Sequence, residues 1–402
     1  MYKKLFPYWQ DKTVRNYYFT EAFMNMWFIA PVWFFVFRHF LTVSQIGINE
    51  IIAFSIGFLA EVPTGAIADK IGRRKTLIIG GVILVIGSAG TAISYNLLTI
   101  VIFQSIWFIG YAFYSGANEA LVYDRLVEEK HENDWNKISA RKSGMTSLIT
   151  IVSVLAGGFL YVINFRLPFI VFTFAMMGFL IFTFKYPVDK PKKEVETSHK
   201  LSTFWLNIRI GMKELLQPQL RFLIYGVAAF TAIYYAYEWG VLRPLILSNH
   251  GYGGFSASVL SSILYIILFL MYLVLPKIFG GVIKEKWILG LVIAASLVFC
   301  LLAFHTSIIR TGIVIIIYTM LAETVNWCVS IHINKHLSPT HRATALSAWE
   351  MIKKIPYILL VATITNISSH GLSVFIVIIS GVILLSSLIT LLSLSRLETA
   401  KA

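Results

Sequence analysis

Apolar residues run along this chain in blocks of about 20, the length at which a helix crosses a hydrocarbon core of roughly 30 Å. Short polar, charged or glycine-bearing breaks separate the blocks. The blocks lack the apolar/polar alternation of barrel strands, so they predict helices. Twelve can be drawn, near 16–38, 46–66, 76–95, 98–123, 140–163, 166–186, 219–245, 255–276, 286–305, 308–332, 344–368 and 371–394. They are numbered here as spans 1 to 12. Between spans 6 and 7 the pattern changes. Pro187, Asp189, Lys190, Pro191, Lys192, Lys193 and Glu194 form a solvated stretch. After it, Leu201, Phe204, Trp205, Ile208, Met212, Leu215 and Leu216 fall on one helical face, with Lys200, Arg209 and Lys213 off it. The segment reads either as an amphipathic helix in the inner membrane interface or as a loose linker. It divides the chain into a six-span half (1–186), a linker (187–217) and a second six-span half (218–402).

Composition agrees. Of the 402 residues 57% are hydrophobic and 13% charged, against about 25% charged in an average soluble domain. The expected fold is an all-α membrane protein. A net charge of +14 raises the question of nucleic acid, but the charges sit in alternate loops and form no basic-aromatic patch. With the N-terminus inside, only Arg38, Arg166, Arg243 and Arg310 of the 34 Lys and Arg fall outside. That bias sets both termini in the cytoplasm. Residues 1–15 carry Lys3, Lys4, Lys12 and Arg15 without a cleavage pattern and read as a cytoplasmic tail. Cys300 and Cys328 lie in apolar spans and suggest neither a disulfide nor a metal site.

One loop carries a specific motif. Gly65, Asp69, Lys70, Gly72, Arg73, Arg74 and Lys75 spell G-x-x-x-D-K-x-G-R-R-K between spans 2 and 3. Gly65 permits close helix packing, Asp69 offers a carboxylate to a helix N-terminus, Gly72 permits a tight turn, and the basic triplet stays inside. The run resembles the loop between helices 2 and 3 of major facilitator superfamily transporters. A weaker echo follows span 8 at Pro276-Lys277-Ile278-Phe279-Gly280-Gly281. Asp124-Arg125 after span 4 is echoed after span 10 by Asn334-Lys335-His336 and Pro339-Thr340-His341-Arg342. The resemblance implies two six-helix halves that rock about a central cavity, with the motif loop latching the inner gate against span 11.

Charge inside a membrane span is costly and marks function by default. Glu21, Glu61, Glu119, Glu323 and Glu350 fall in the inner third by residue count, with Lys353 and Lys354 at the depth of Glu323. Glu323 and a span 11 lysine predict either a gated ion-pair network or a static buried pair. In the drug/proton antiporters that the motif resembles, acids on helices 1 and 4 bind protons or cations. That makes Glu21, Glu119 and Glu323 proton-coupling candidates, while Glu21 also reads as an interfacial acid. Glu119 and Asp124 also suit a charge network with Arg73, Arg125 or Arg141. Asn25, Trp27, Tyr234, Glu238, Lys353 and Lys354 are substrate-cavity candidates on aromatic-rich or charged spans, and a ring-lined acidic cavity suits hydrophobic cations. Glu238 and Arg243 are five apart and share no face of a continuous helix, which leaves Arg243 to snorkel outward. His332 and His336 have chelating spacing but no carboxylate at helical spacing, so no metal is expected. Span 5 keeps the Gly157-Gly158 pair of the antiporters but has Ser153-Val154 where they have Gly-Pro. No phosphate-binding loop is present, so ATP does not drive the protein and neither enzyme nor cofactor is expected.

These readings converge on a monomeric secondary transporter of the cytoplasmic membrane, with a small molecule, the proton and the lipid bilayer as partners. Proton-coupled efflux of a small amphipathic compound leads. Uptake or facilitated transport of a metabolite, such as an anion attracted by Arg243 and Lys353 or Lys354, is the alternative. A non-transporting receptor or scaffold is a third class, which would tolerate loss of the acids.

Overall fold

The computed structural model describes residues 8–188, 201–218, 220–279, 283–304, 307–338, 342–367 and 369–399. Among these residues the regular structure is helical, with no strand. Span 1 is made by α1 (Lys12–Met24) and α2 (Trp33–Phe37). Spans 2 and 3 are α3 (Val43–Ile71) and α4 (Arg73–Ile93), and span 4 is α5 (Leu97–Tyr114) with α6 (Ala117–Glu128). Spans 5 and 6 are α7 (Trp135–Ile163) and α8 (Leu167–Phe184). The linker contributes α9 (Leu201–Leu215), and span 7 is α10 (Arg221–Glu238) with α11 (Leu242–Asn249). Spans 8 to 12 are α12 (Gly254–Phe279), α13 (Glu285–Cys300), α14 (Ile308–His336), α15 (Arg342–Asn366) and α16 (Ser369–Thr399). The polar linker 189–200 and the second-half echoes at Gly280-Gly281 and Pro339-Thr340-His341 lie outside the described residues.

Nine helical segments among the described residues are long and apolar enough to cross a membrane, with α5 and α6 counted together. The rest of the expected twelve are spans 1 and 7, which are broken, and span 11, which carries Glu350, Lys353 and Lys354.

Spans 1, 4 and 7, drawn from the sequence as continuous, are each interrupted. In span 1 the chain leaves the helix at Asn25 and resumes it at Trp33. Pro31 lacks the N–H that would continue the ladder and disfavours helical backbone at Ala30. Asn25 closes α1, its backbone N–H and its Nδ2 both donating to the Glu21 carbonyl. The turn Trp27–Val32 bonds within itself, through Ala30 N–H to Trp27 and Val32 N–H to Ile29. Span 4 breaks at Ser115-Gly116, where Gly116 sits at φ +85°, a conformation other residues adopt at a cost. Span 7 breaks at Trp239-Gly240-Val241. Irregular backbone at membrane depth persists only where protein or water satisfies its polar groups.

The chain divides into two compact units, Met1–His199 with Gly254–Tyr265, and Lys200–Gly253 with Ile266–Ala402. In the first, α4 packs along α5 and α8, α3 along α5, and α1 along α8. Lipid supplies no hydrophobic drive between helices, so close packing carries the association. Gly87 of α4 accordingly lies directly on the backbone of Trp107 in α5. Tyr17, Tyr18, Phe172 and Phe179 fill the interior beside Trp107. In the second unit α13 packs on α14 and α16, and α10 packs on α15 and α16. The linker segment is helical as α9 and lies on α15, with Gly211 against the Thr344 carbonyl.

Candidate functional site

The motif loop forms the turn its glycine implies. Gly72, at φ +93°, ends α3 and begins α4, and its carbonyl accepts from Thr76 Oγ1 at 2.8 Å. Arg73 Nε lies 3.9 Å from Asp124 Oδ2, so one of the arginine partners expected for Asp124 is observed. Arg74 Nη2 donates to the Phe184 carbonyl at the end of α8 at 2.9 Å. Lys70 and Lys75 are exposed. The Asp69 side chain and the surroundings of Gly65 are not described. Arg125 turns elsewhere, to Asp11 at 3.7 Å and to Glu128 and Glu129 of its own helix.

Glu21 anchors a polar cluster inside the first unit. It projects from α1 and is 3% exposed. Its Oε1 accepts from the Tyr114 hydroxyl at 2.6 Å and from Asn118 Nδ2 at 2.8 Å. Asn118 Oδ1 in turn accepts from the Tyr186 hydroxyl at 2.8 Å, and Thr20 Oγ1 stands 3.0 Å from that hydroxyl. Oε2 of Glu21 has no hydrogen-bond donor among the described residues; its neighbour is the Lys142 ammonium at 3.9 Å. The same ammonium donates to Glu119 Oε1 at 3.0 Å. One lysine of α7 thus faces two carboxylates, one buried on α1 and one half-exposed on α6.

Glu119 therefore pairs with Lys142 rather than with the arginines expected for it. Of those arginines, Arg73 faces Asp124 and Arg125 faces Asp11, and the helix that carries Glu119 starts anew after the break at Gly116. Asn25 contributes backbone: its carbonyl accepts from Thr150 Oγ1 at 3.1 Å. Trp27 packs edge-on to Trp107 at 6.0 Å and stacks on Phe172 at 5.9 Å, so it belongs to the ring packing of this unit.

The second unit holds the other acid site. Glu323 of α14 accepts from the Tyr234 hydroxyl on Oε1 and from the Tyr272 hydroxyl on Oε2, both at 2.6 Å. Tyr234 stacks between Phe230 and Tyr237 at 6.2 and 6.3 Å. Of the two span 11 lysines expected for Glu323, Lys353 is not its partner. Lys353 bonds Glu350, one helical turn before it on α15, where the shorter reach wins. Glu238 and Arg243 do meet, Nη1 donating to Oε2 at 2.7 Å, with both side chains about nine-tenths buried. The break at Trp239–Val241 cancels the helical geometry that would hold residues five apart on different faces, so Arg243 is an internal partner and not an outward snorkel. Arg243 also lies over the Tyr237 ring at 5.7 Å. At the C-terminal end of α14, His332 Nε2 lies 3.3 Å from Glu285 Oε1 and its ring is 4.4 Å from that of His336.

The participants that escaped the sequence reading include Tyr114, Tyr186, Tyr272 and Lys142. Tyr114 and Tyr272 look like ordinary rings in apolar runs, and Lys142 looks like one more inner-side charge. Their signal is positional only, a polar tip at the depth of an acid on another span.

Apolar helices in two units, each with a carboxylate hydrogen-bonded across helices, define a polytopic membrane protein of the transporter class. The family model described as Major Facilitator Superfamily matches residues 21–361, and the chain belongs to that family. Among solved structures it is similar to a variant of the nucleoside transporter NupG, at 15% identity and TM-score 0.72 over 94% of this chain and 100% of that one. It is also similar to the POT family transporter PepTSo, at 12% identity and TM-score 0.68 over 96% and 98%. No curated protein matches the sequence significantly.

Proposed function

We propose that the protein is a proton-coupled secondary transporter, working by alternating access, that expels a small amphipathic compound. The observation that carries this reading is the asymmetry of the Glu21 carboxylate. Oε1 holds two donors, while Oε2 faces only a lysine that is already bonded to Glu119. A proton on Oε2 and the ammonium of Lys142 are alternative ways to neutralise the same buried charge. With the proton on, Lys142 stays with Glu119. With the proton off, the carboxylate draws Lys142 inward. Protonation therefore changes which of α1 and α6 the lysine of α7 is tied to, and that change of linkage is what couples a proton to a conformational step. The efflux direction rests on the likeness to drug/proton antiporters, which carry an acid on the first helix. The anion-uptake alternative needs uncommitted cations, and two of its three candidates, Arg243 and Lys353, are bonded to Glu238 and Glu350.

The test starts from compounds that raise the melting temperature of purified protein. In proteoliposomes with an imposed pH gradient, wild type should concentrate such a compound against its gradient. Glu21→Gln, which mimics the protonated state, should abolish this accumulation while keeping gradient-free exchange. A scaffold transports under neither condition, and a uniporter shows no split. A mutant that still concentrates the compound at the wild-type level removes Glu21 from the role and passes it to Glu119.

A further inference from the structure

The carboxylate that His332 lacks at helical spacing reaches it from another helix. Near the C-terminal end of α14, His332 is 9% exposed and turns both ring nitrogens toward oxygens. Nδ1 lies 3.3 Å from the Ile283 carbonyl, and Nε2 lies 3.3 Å from Glu285 Oε1. A neutral imidazole carries one N–H, so it can serve one of these oxygens and must turn a lone pair on the other. An imidazolium carries two. Nε2 is buried and meets the carboxylate at ion-pair distance rather than in an aligned hydrogen bond, so attraction there depends on charge on the ring. The helix ends suit that charge. Glu285 lies in the first turn of α13, where an anion is favoured, and His332 stands one turn before the end of α14, where a cation is. The other charged groups nearby are placed differently. His336 lies beside the His332 ring and its Nδ1 is taken by the His332 carbonyl at 2.9 Å. Lys277 of α12, Lys284 and Lys335 are exposed, and Lys286, next to Glu285, is half-buried. Among the described residues no group of three or more His, Cys, Asp or Glu is placed to hold a metal ion. The same end of α14 also holds the linker. The His336 carbonyl accepts from Gln217 Nε2 at 2.9 Å, and Ser338 Oγ donates to Glu214 Oε2 of α9 at 3.3 Å.

We infer that His332 and Glu285 form a proton-operated clasp between the start of α13 and the end of α14. With His332 protonated, the ring holds the Ile283 carbonyl and the Glu285 carboxylate together. With it neutral, Nδ1 keeps the carbonyl, the Nε2 lone pair faces the carboxylate, and the clasp opens. Histidine is the side chain whose ordinary charge change falls between about pH 5 and 8, so the clasp works in the physiological range. A cation that gains a partner on folding adds stability at low pH, and that stability is lost as pH rises. Acid therefore ties α13 to the helix end that also anchors the linker, and alkali releases it. The clasp involves neither Glu21 nor the cargo and stands apart from the coupling mechanism proposed above.

A double-mutant cycle on the purified full chain tests this. Melting temperatures of wild type, His332→Gln, Glu285→Gln and the double variant are measured in detergent at about pH 5.5 and about pH 8.5, on either side of the histidine range. The interaction term of the cycle should favour the pair by about 2 °C or more at the acid pH and fall to near zero at the alkaline one. Lost packing of the imidazole lowers both temperatures alike and cancels from the term. An interaction term of equal size at both pH values, larger at the alkaline one, or absent from both overturns the inference. The pH-dependent term should survive in a His336→Gln background; its loss there would assign the proton to His336 and overturn the inference too. Should His332→Gln fail to fold, the difference between wild type and Glu285→Gln decides, and an equal difference at the two pH values overturns the clasp. Melting is read without substrate or a pH gradient, so failure of the coupling role of Glu21 leaves this result standing, and the reverse holds too.

Discussion

Lys142 is the side chain on which the first unit's charge balance turns. It is 17% exposed and stands between a carboxylate that is 4% exposed and one that is 53% exposed. Removing one partner of a buried pair strands the other at about 3–5 kcal/mol. Lys142→Met should therefore lower the melting temperature in detergent. Glu21→Gln in the same chain should restore most of the loss, because the stranded charge is gone. A double variant no more stable than Lys142→Met would mean that the lysine does not neutralise Glu21. The acids themselves were legible in the sequence, since a glutamate in an apolar run is conspicuous. Their partners were not. Glu323 and Lys353 share a depth, yet depth says nothing about rotation, and a lysine one turn from Glu350 meets that acid first. Tyrosines that hold acids resemble tyrosines that merely fill space until the helices are placed beside one another.

Elements were more legible than side-chain pairs, and where they failed the reason is local. The twelve apolar blocks correspond to helical segments, because block length and loop charge are summed over many residues. Breaks depend on single residues. Pro31, Gly116 and Gly240 stand in plain view, but apolar neighbours let the pattern run through them. Their consequence reaches the acid sites: the break after Glu238 brings Arg243 to it, and the break at Asn25 sends Phe28 against α7. Gly157 of α7 touches the Phe28 carbonyl so closely that a Cβ there would overlap it. This gives a structural reason for half of the Gly157-Gly158 pair noticed in the sequence. Gly157→Ala should cost about 1–3 kcal/mol as an overpacked site. Gly144→Ala, on the same helix with open space around its Cβ, should be neutral or stabilising by up to about 1 kcal/mol. Melting curves of the two variants check this; equal effects would show that the turn after Asn25 is not seated on Gly157.

Orientation belongs to the molecule as a whole, because it is set by the sum of its loop charges. Four arginines, at 38, 166, 243 and 310, against the remaining Lys and Arg of the chain, predict one topology over its inverse. Helix packing alone is indifferent to that choice, since inverting the protein in the bilayer leaves each internal contact intact. Two positions report it. Tyr95, between α4 and α5, is 65% exposed and should face outward, whereas Glu132, between α6 and α7, is exposed and should face the cytoplasm. Cys300 and Cys328, the former half-buried and the latter buried, are first replaced by serine. A membrane-impermeant maleimide applied to intact cells should then label Tyr95→Cys and spare Glu132→Cys, with both labelled once the membrane is permeabilised. The opposite pattern would place Glu21 and the motif loop near the outer face. The proton would then reach Glu21 from the wrong side for efflux, and the proposed direction of transport would have to be reversed.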